Sequence, residues 1–399
     1  MKILQVCNKI TFPPDEGGSV AVLNISLPLS DAGHEITIFS FITEKHGMDE
    51  NDKAILEKKV KLRLVKQETG IKMHNLLGNL LFSDKPYSAQ RFDSPLFHNE
   101  LKKILSEQHF DVVQLEGLYL LPYIMTIREF SSALIVFRSH NAEHEIWSSY
   151  SINAGNPLKR LYLANLAARL RKMAEKYINS YDLLVPISDP DSSFYQSIGN
   201  NKPVLVCSSG YDASNIFPGD IRPDGSLFYI GSLDWLPNQQ GLLWFIGKVF
   251  KELVKTSPSL VFHIAGRNAP EEFIRKIKHP NIRFCGEVRD ARDFVRSKGI
   301  SIVPLFSGSG MRVKIIESMA NGKPVVATSK AAEGLDVVNG ENILVADRPD
   351  DFRHYVNKLL NDNVLYKKLA TGARELVLSK YDNNKISASL IEFYNKHLQ

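Results

Sequence analysis

The stretch that best indicates the fold is GISIVPLFSGSGMRVKIIES, residues 299–318. A short apolar run, ISIVPLF, ends in alternating serine and glycine, and a helical pattern follows with Ile315, Ile316 and Met319 on one side. β-Branched residues, then glycine, then an amphipathic helix are typical of a strand–loop–helix unit in a parallel sheet. The free N–H groups at the start of such a helix can bind an anion, so we expect a ligand loop here.

Two cations, Arg312 and Lys314, lie at the start of this predicted helix. Positive charge there opposes the helix dipole, which favours negative charge at the N-terminus. A bound phosphate would make both cations favourable, whereas a solvated pair of Lys314 with Glu317 would also account for them. The loop alone leaves both interpretations open. If the helix begins near Arg312, we expect that side chain to be free to turn toward a ligand.

Strand-like runs alternate with helical patterns along the rest of the chain. The first half contains KILQVC, EITIFSF, DVVQLEG, ALIVFR, DLLVPIS and PVLVC, and the second contains LFYIGS, LVFHIAG, IRFCG, ISIVPL, KPVVAT and NILVA. This alternation predicts βαβ units with parallel sheets. The predicted fold class is therefore α/β, with two doubly wound, Rossmann-like domains and a cleft between them.

The domain boundaries follow from composition. Residues 208–225, SSGYDASNIFPGDIRPDG, are dense in Gly, Pro, Asp and Ser, which predicts a linker or hinge. Residues 1–207 then form a first domain, and residues 226–382 form a second domain. Residues 383–399 have the pattern of a helix, which leaves open whether they cross back to the first domain.

Composition and cysteine content exclude several classes of protein. The chain has 399 residues, 44% of them hydrophobic and 23% charged, and its net charge of +5 is too small for a nucleic-acid-binding arm. Cys7, Cys207 and Cys285 are widely separated in apolar runs, which predicts buried free thiols in a reducing compartment. No apolar run approaches the roughly 20 residues that span a bilayer. We expect a cytoplasmic protein, at most peripheral on the inner face of a membrane. A G-x-G-x-x-G fingerprint is absent, which argues against a dehydrogenase.

From about residue 227 to 335 the chain closely resembles glycosyltransferase family 4, whose members are retaining enzymes of the GT-B fold. The matching segments are FYIGSLDWLPNQQGLLWF, HIAGR, FCGEVRD and VPLFSGSGMRVKIIESMANGKPVVATSKAAEGL. The first half resembles the family more loosely through PPDEGGS, DAGHEITIFS, RSHNAEHEIW and VPISDPD. The resemblance implies metal-independent transfer of a hexosyl group from a nucleotide-diphosphate sugar to a glycan or lipid-linked glycan, in cell-surface polysaccharide or glycolipid synthesis. The nucleotide-sugar is then a substrate, and no cofactor is expected. The resemblance further implies that residues 1–207 are the acceptor-side domain and that residues 226–382 bind the nucleotide-sugar.

The resemblance also implies roles for individual residues. Glu317 matches the glutamate that contacts the nucleotide ribose, and His140 matches a histidine near the donor sugar. The remaining predicted contacts to the donor are Gly17 and Gly18 before the first helix, Arg267 in HIAGR, Val288 and Arg289 beside the base, and Gly308, Ser309 and Gly310 facing sugar and diphosphate.

Two departures from the family pattern concern charge. The first glutamate of the usual E-x7-E pair is replaced by Ser309. The usual Arg and Lys after the second domain's first strand are replaced by Ser232 and Asn238, which we keep as donor-site candidates. We therefore expect Arg312 and Lys314 to supply the missing positive charge, and together with His140 they form the predicted catalytic set.

Alternatives remain open. A nucleotide-sugar 2-epimerase shares the same architecture, and a non-catalytic nucleotide-sugar sensor would also bind the donor. A further feature is the helical stretch PLKRLYLANLAARLRKMAEKYI, in which Arg169, Lys172 and Lys176 share one side. Such a side either contacts anionic lipid or forms a solvated rim around a core-facing stripe.

Overall fold

The computed structural model describes residues 1–14, 17–43, 47–70, 73–152, 154–216, 225–308 and 310–398. The chain forms two compact units, one of Met1–Ser209 with Asn383–Gln399 and the other of Gly210–Asp382. The division between them lies inside the predicted linker, of which residues 217–224 are outside the described part. The last segment belongs to the first unit.

The first unit is built on a parallel six-stranded sheet. Its strands are β1 (Lys2–Cys7), β2 (Glu35–Ile42), β3 (Lys61–Lys66), β4 (Val112–Glu116), β5 (Leu134–Ser139) and β6 (Leu183–Pro186). They pair in the order β3-β2-β1-β4-β5-β6. The helices are α1 (Gly17–Asp31), α2 (Glu50–Leu56), α3 (Met73–Phe82), α4 (Tyr87–Gln90), α5 (Pro95–Glu107), α6 (Ile124–Phe130), α7 (Glu143–Ile152), α8 (Pro157–Tyr177), α9 (Asp189–Ser197) and, at the end of the chain, α18 (Asn383–Asn395).

The central strands are buried on both sides, and most of their side chains are apolar, because helices cover both faces of the sheet. On one face, the stacked rings of Phe39, Phe41 and Phe97 are at the centre of the core. On the other face α1 and α18 lie together, and Leu390 and Tyr394 of α18 are fully buried there. The C-terminal helix is thus an integral part of the first unit's core.

The second unit repeats the architecture. Its strands are β7 (Leu227–Ile230), β8 (Phe262–Ala265), β9 (Ile282–Gly286), β10 (Ile300–Val303), β11 (Val325–Ala327) and β12 (Leu344–Val345). The order is β12-β11-β10-β7-β8-β9 and the pairs are parallel. The helices are α10 (Leu236–Phe245), α11 (Lys251–Thr256), α12 (Glu271–Lys276), α13 (Ala291–Arg296), α14 (Val313–Ala320), α15 (Ser329–Ala332), α16 (Pro349–Asn361) and α17 (Asn363–Lys380). The predicted α/β fold with parallel sheets is confirmed.

The strand order of the second sheet places two loops side by side. The chain proceeds from β7 to β8 in one direction, while β10 pairs with the opposite edge of β7. The loops after β7 and β10 therefore diverge at a switch point, where ligands bind in open parallel sheets. One of these two loops, the one after β10, lies within residues 299–318.

Helix α10 packs unusually close to the loop that follows β10. A Cβ atom at Gly241 would lie 1.9 Å from the carbonyl oxygen of Pro304. Only glycine allows this approach. Past Phe245 the helix continues through a π-helical turn, Ile246–Phe250, into α11. The spacing between α10 and the β10 loop is therefore fixed by a backbone contact.

Three sequence predictions were wrong in detail. The segment PVLVC makes only a single bridge, between Val204 and Leu184, instead of a full strand. β3 was missed because this edge strand buries only Val65, so its pattern resembled that of a surface segment. Cys285 is exposed, because β9 is also an edge strand and its middle side chains face outward, whereas Cys7 and Cys207 are buried free thiols as expected.

Candidate functional site

The loop after β10 leads into α14 through glycines in the left-handed region. Gly308 has φ 105° and Gly310 has φ 80°, while Ser309 lies outside the described residues. A Cβ atom at Gly308 would be 2.7 Å from the indole of Trp235, which belongs to the loop after β7. Backbone conformation and packing thus both require glycine at this position.

Arg312 is the N-cap residue of α14, which begins at Val313, so the predicted helix start is confirmed. The expectation that its side chain would be free is wrong. Its Nη2 donates to the Gly308 carbonyl at 3.0 Å, its Nη1 donates to the Gly310 carbonyl, and the residue is only 5% exposed. The carbonyls of the loop need donors, and a guanidinium offers several in one plane. Arg312 therefore stabilises the conformation of the loop through these two hydrogen bonds.

Lys314, in the first turn of α14, connects this helix with β7 and α10. Its Nζ donates to the Tyr229 hydroxyl at 2.7 Å and to Asn238 Oδ1 at 3.1 Å, and it lies 4.5 Å from the centroid of the Tyr229 ring. A Cβ atom at Gly231 would lie 2.6 Å from the same Nζ, so the missing side chain leaves room for the ammonium. The structure thus brings Lys314 of α14 to the end of β7.

Asn238 explains one departure from the family pattern. It is 2% exposed, and its Nδ2 donates to the Ser232 carbonyl at 2.6 Å while its Oδ1 accepts from Lys314. A cation at position 238 would repel the Lys314 ammonium, whereas an amide oxygen accepts from it. Asn238 and Lys314 therefore form one hydrogen-bonded arrangement.

Charge at this site is poorly compensated without a ligand. Burial, helped by the Arg312 charge, lowers the pKa of Lys314 to about 7. Burial raises the pKa of Glu317, one turn further along α14, to about 7, although Lys314 and Arg292 oppose this shift. Among the described residues, none donates a hydrogen bond to the Glu317 carboxylate. The Lys314 ammonium can form an ion pair with an anion. The Glu317 carboxylate can accept hydrogen bonds from hydroxyl groups.

The opposite side of α14 faces the core, as its periodicity predicted. Ile315, Ile316, Met319 and Ala320 are fully buried. Sequence reasoning missed Tyr229, Trp235 and Arg292, which contact or act on the charged residues of this site. The motif FYIGSLDW contains the first two, but only the pairing of β7 with β10 shows their role.

The other predicted residues of the second unit lie around β8 and β9. The Arg267 carbonyl accepts from Leu233 N at 3.0 Å, which ties the loop after β8 to the β7 loop. Val288 packs against a small cluster that includes Phe228. Arg289 is exposed. The structure gives none of these three a contact with Lys314 or Glu317.

In the first unit, Gly17 and Gly18 are the first residues of α1. A Cβ atom at either position would meet no atom within 4 Å. Packing within the described residues therefore does not require glycine there.

His140 directly follows β5 and is held by a carboxylate. Its Nε2 lies 2.5 Å from Glu116 Oε2, and Arg138 Nη1 lies 3.2 Å from the same oxygen. Burial alone would raise the pKa of Glu116, but Arg138, His140 and Gln114 outweigh it and hold the value at about 2. Glu116 is therefore ionised inside the core.

The helix with the predicted basic side is α8. Arg169 is not free for lipid, because its Nη1 and Nη2 donate to the backbone carbonyls of Asn79 and Leu80 at 3.2 and 3.1 Å. Lys172 and Lys176 are exposed. No helix within the described ranges combines the length and hydropathy needed to cross a bilayer. The same part of the chain holds no group of three or more His, Cys, Asp or Glu side chains arranged for a metal ion.

Comparisons with known proteins agree with this architecture. Residues 224–362 match the family described as "Glycosyl transferases group 1". An "Uncharacterized 44.6 kDa protein in cps region" of Klebsiella pneumoniae is 23% identical to this chain. The alignment covers 98% of this chain and 99% of that protein. Anabaena HepE in complex with UDP and glucose aligns with a TM-score of 0.71 at 16% identity, covering 99% of this chain and 100% of that one. A variant of S. aureus TarM, in complex with Fondaparinux, alpha-GlcNAc-glycerol and UDP, gives a TM-score of 0.71 at 12% identity, with 99% of each chain covered.

The second unit therefore contains a glycosyltransferase group 1 domain, and the two parallel sheets form the α/β GT-B fold. The predicted resemblance is confirmed at this level. The assignment to family 4, its motif subtype and the retaining mechanism stay predictions.

Proposed function

We propose that this protein is a retaining, metal- and cofactor-independent hexosyltransferase of family 4 type that uses a nucleotide-diphosphate sugar. The observation that carries the proposal is the placement of the Lys314 ammonium at the carboxyl end of β7, 2.7 Å from Tyr229 Oη and beside the side-chain-free Gly231. A diphosphate at this switch point would have an ammonium and the N-terminus of α14 as neighbours. Glu317, on the same helix, would accept from the ribose hydroxyls.

The chemistry follows from where charge develops. As the bond between C1 of the sugar and the phosphate oxygen breaks, negative charge accumulates on the leaving diphosphate. The Lys314 ammonium and the N–H groups at the start of α14 stabilise that charge. The acceptor oxygen forms the new bond to C1 on the same face, and its proton passes to the leaving phosphate oxygen. The configuration at C1 is thereby retained, and His140 contacts the donor sugar.

The relatives suggest the first substrates to test. Solved neighbours contain UDP, and the Klebsiella relative is described by its cps region. We therefore propose a UDP-sugar as donor, a surface glycan or a lipid-linked glycan as acceptor, and the cytoplasmic face of the membrane as the place of reaction.

The test has two steps. Thermal shift with UDP-, GDP-, ADP- and CDP-sugars identifies the donor, and release of the nucleoside diphosphate is then followed with and without a pool of lipid-linked glycans. Acceptor-dependent release is the expected result. Formation of an epimeric sugar without acceptor would show the 2-epimerase instead. Donor binding without turnover on any acceptor would indicate the sensor.

Glu317→Gln should weaken both a nucleoside and its diphosphate by about 10- to 100-fold, because charge-assisted hydrogen bonds to ribose contribute about 1.5–3 kcal/mol. Glutamine keeps the size of the side chain, removes its charge and replaces one acceptor oxygen by an amide donor. Isothermal titration with both ligands measures the effect, and Glu341→Gln, at an exposed position of the same unit, is the control. Unchanged affinities combined with a lower Tm would show that Glu317 is a structural residue of α14.

The peripheral membrane contact is proposed for the tip of the α7–α8 hairpin instead of the whole basic side of α8. Ile152, Leu158 and Leu161 are 74%, 78% and 71% exposed there. Lys159 and Arg160 lie between these two leucines, and residues 146–174 contain five Lys and Arg but no Asp or Glu. Apolar side chains flanked by cations fit an anionic lipid surface.

Leu158→Ser combined with Leu161→Ser should weaken binding to phosphatidylglycerol-containing vesicles at least about tenfold, since burying one leucine contributes about 1.5–3 kcal/mol. Co-sedimentation with vesicles measures this binding, and pure phosphatidylcholine vesicles should bind little wild-type protein. Val364→Ser in the second unit, where Val364 is 80% exposed, is the matched control. Absence of wild-type binding to the anionic vesicles, or an equal loss in the control, would contradict the proposed contact.

A further inference from the structure

A chain of buried polar side chains connects the C-terminal helix with His140. The Tyr394 hydroxyl of α18 donates to Gln114 Oε1, and Gln114 Nε2 donates to Glu116 Oε1. The other oxygen of Glu116 lies 2.5 Å from His140 Nε2. Gln114 and Tyr394 are 0% exposed and Glu116 is 3% exposed. Each connection is therefore made inside the core of the first unit.

The donor and the acceptor of each hydrogen bond in this series of side chains are fixed. An ionised carboxylate can only accept, so Glu116 requires an N–H from Gln114 and an N–H from His140 Nε2. The Gln114 carbonyl must then point away from Glu116, toward the Tyr394 hydroxyl. Arg138 Nη1 lies 3.2 Å from His140 Nε2, but its hydrogens are directed to Glu116 Oε2 and to the Ala21 carbonyl, each also at 3.2 Å.

The arrangement determines which nitrogen of His140 is available. With the Nε2 proton held by Glu116, neutral His140 is the Nε2–H tautomer, and Nδ1 is left as a hydrogen-bond acceptor. The imidazole is 14% exposed, so one edge can reach a ligand. A hydroxyl group of a donor sugar could donate to that nitrogen.

A contribution to the free energy of unfolding does not by itself account for this buried polar network. Buried ion pairs are often no more stabilising than well-packed apolar side chains of similar size. Arg138 is 0% exposed, and its Nε has no hydrogen-bond partner among the described residues. Such costs are expected mainly where a polar group serves a site.

We propose that Tyr394, Gln114 and Glu116 are positioning residues that fix the tautomer and orientation of His140, and that α18 is therefore part of the functional site. The role of His140 as a contact to the donor sugar rests on the proposed function. The hydrogen bonds that orient His140 are independent of that function.

The primary test is NMR of ¹⁵N-histidine-labelled, ligand-free protein, in which long-range couplings distinguish the two neutral tautomers. His140→Gln assigns the signals. Wild type should show only the Nε2–H form of neutral His140. Glu116→Gln should populate the Nδ1–H form. Tyr394→Phe should shift or broaden the His140 signals, because the Gln114 carbonyl then loses its donor and the amide that holds Glu116 is less restrained.

The matched control is Tyr181→Phe. Tyr181 is 1% exposed and its hydroxyl lies 3.0 Å from Asn200 Oδ1, so this variant also loses one hydrogen-bonded hydroxyl within the same unit. Its His140 signals should stay as in wild type. A mixed tautomer in wild type, or equal shifts in both phenylalanine variants, would overturn the inference. If Glu116→Gln does not fold, the comparison of Tyr394→Phe with Tyr181→Phe still tests whether Tyr394 positions His140.

Kinetics supply the second readout once a substrate is known. Tyr394→Phe should lower kcat about twofold to tenfold, the effect of one net hydrogen bond, with the donor KM unchanged. In the His140→Gln background the same substitution should have no further effect on kcat. Additive losses would reduce Tyr394 to a structural residue. Should NMR give the expected tautomer while no transfer occurs with any substrate, the positioning role stands and the proposed function fails.

Discussion

Lys314→Met should weaken binding of a nucleoside diphosphate by about 10- to 100-fold and leave binding of the matching nucleoside unchanged. Methionine keeps much of the length of the side chain but removes the charge, so the loss is restricted to the ligand that carries phosphate. Isothermal titration with UDP and uridine compares the two ligands directly.

Lys323→Met is the matched control. Lys323 is 8% exposed in the same unit, and its Nζ donates to the Arg296 carbonyl at 2.8 Å instead of to the β7 loop. This variant should bind both ligands as wild type does. Equal losses of UDP and uridine in Lys314→Met would mean that the substitution disturbs the loop, and the role of the ammonium in binding phosphate would be lost.

The lowered pKa of Lys314 adds a pH dependence to this prediction. A diphosphate favours the charged ammonium and raises its pKa above the ligand-free value of about 7. Between these two values the complex binds more protons than the free protein, so binding takes up protons and weakens as the pH rises above about 7. Titrations at pH 8 in two buffers of different ionisation enthalpy measure this uptake, which should be absent in Lys314→Met.

Gly241→Ala should destabilise the second unit by about 3 kcal/mol or more, at the upper end of the range for overpacked cores. The new Cβ would lie 1.9 Å from the Pro304 carbonyl oxygen, and because both atoms belong to or adjoin backbone, no side-chain rotation relieves the contact. Helix α10 must then move away from the loop after β10. Urea unfolding gives the change in the free energy of unfolding.

Gly247→Ala is the control for this substitution. Gly247 lies in the π-helical turn of the same continuous helix, and a Cβ there would meet nothing within 4 Å. It should change stability by less than about 1 kcal/mol, in the stabilising direction, because alanine favours helix over glycine. A Gly241→Ala variant as stable as Gly247→Ala would show that the helix can move without cost.

Local features of the site could be predicted from the sequence, and contacts between distant segments could not. The start of α14, its buried face and the charges at its N-terminus depend on neighbouring residues, so the pattern around Arg312 was sufficient. The bond of Lys314 to Asn238 joins residues 76 positions apart and exists only because β10 pairs with β7. No periodicity contains that information.

The same limit applies to Arg312 and His140. Arg312 was expected to face a ligand, because the sequence does not show that the Gly308 and Gly310 carbonyls turn toward its guanidinium. His140 was identified from resemblance, but Glu116 was not, since 24 residues separate them and only the pairing of β4 with β5 brings them together. The edge strand β3 was missed, because its mostly exposed side chains give a pattern like that of a surface segment.

The space beside Gly231 also has a consequence for the reactivity of the protein. Because burial lowers the pKa of Lys314 to about 7, more of its amine is unprotonated at neutral pH than in an ordinary lysine, and an unprotonated amine is a nucleophile. Most lysines are almost fully protonated under these conditions. We expect an acylating reagent small enough to reach the buried amine to react preferentially with Lys314, and a nucleotide bound at the proposed site to protect it. Burial of one ammonium beside Gly231 thus also makes this lysine chemically distinct from the others.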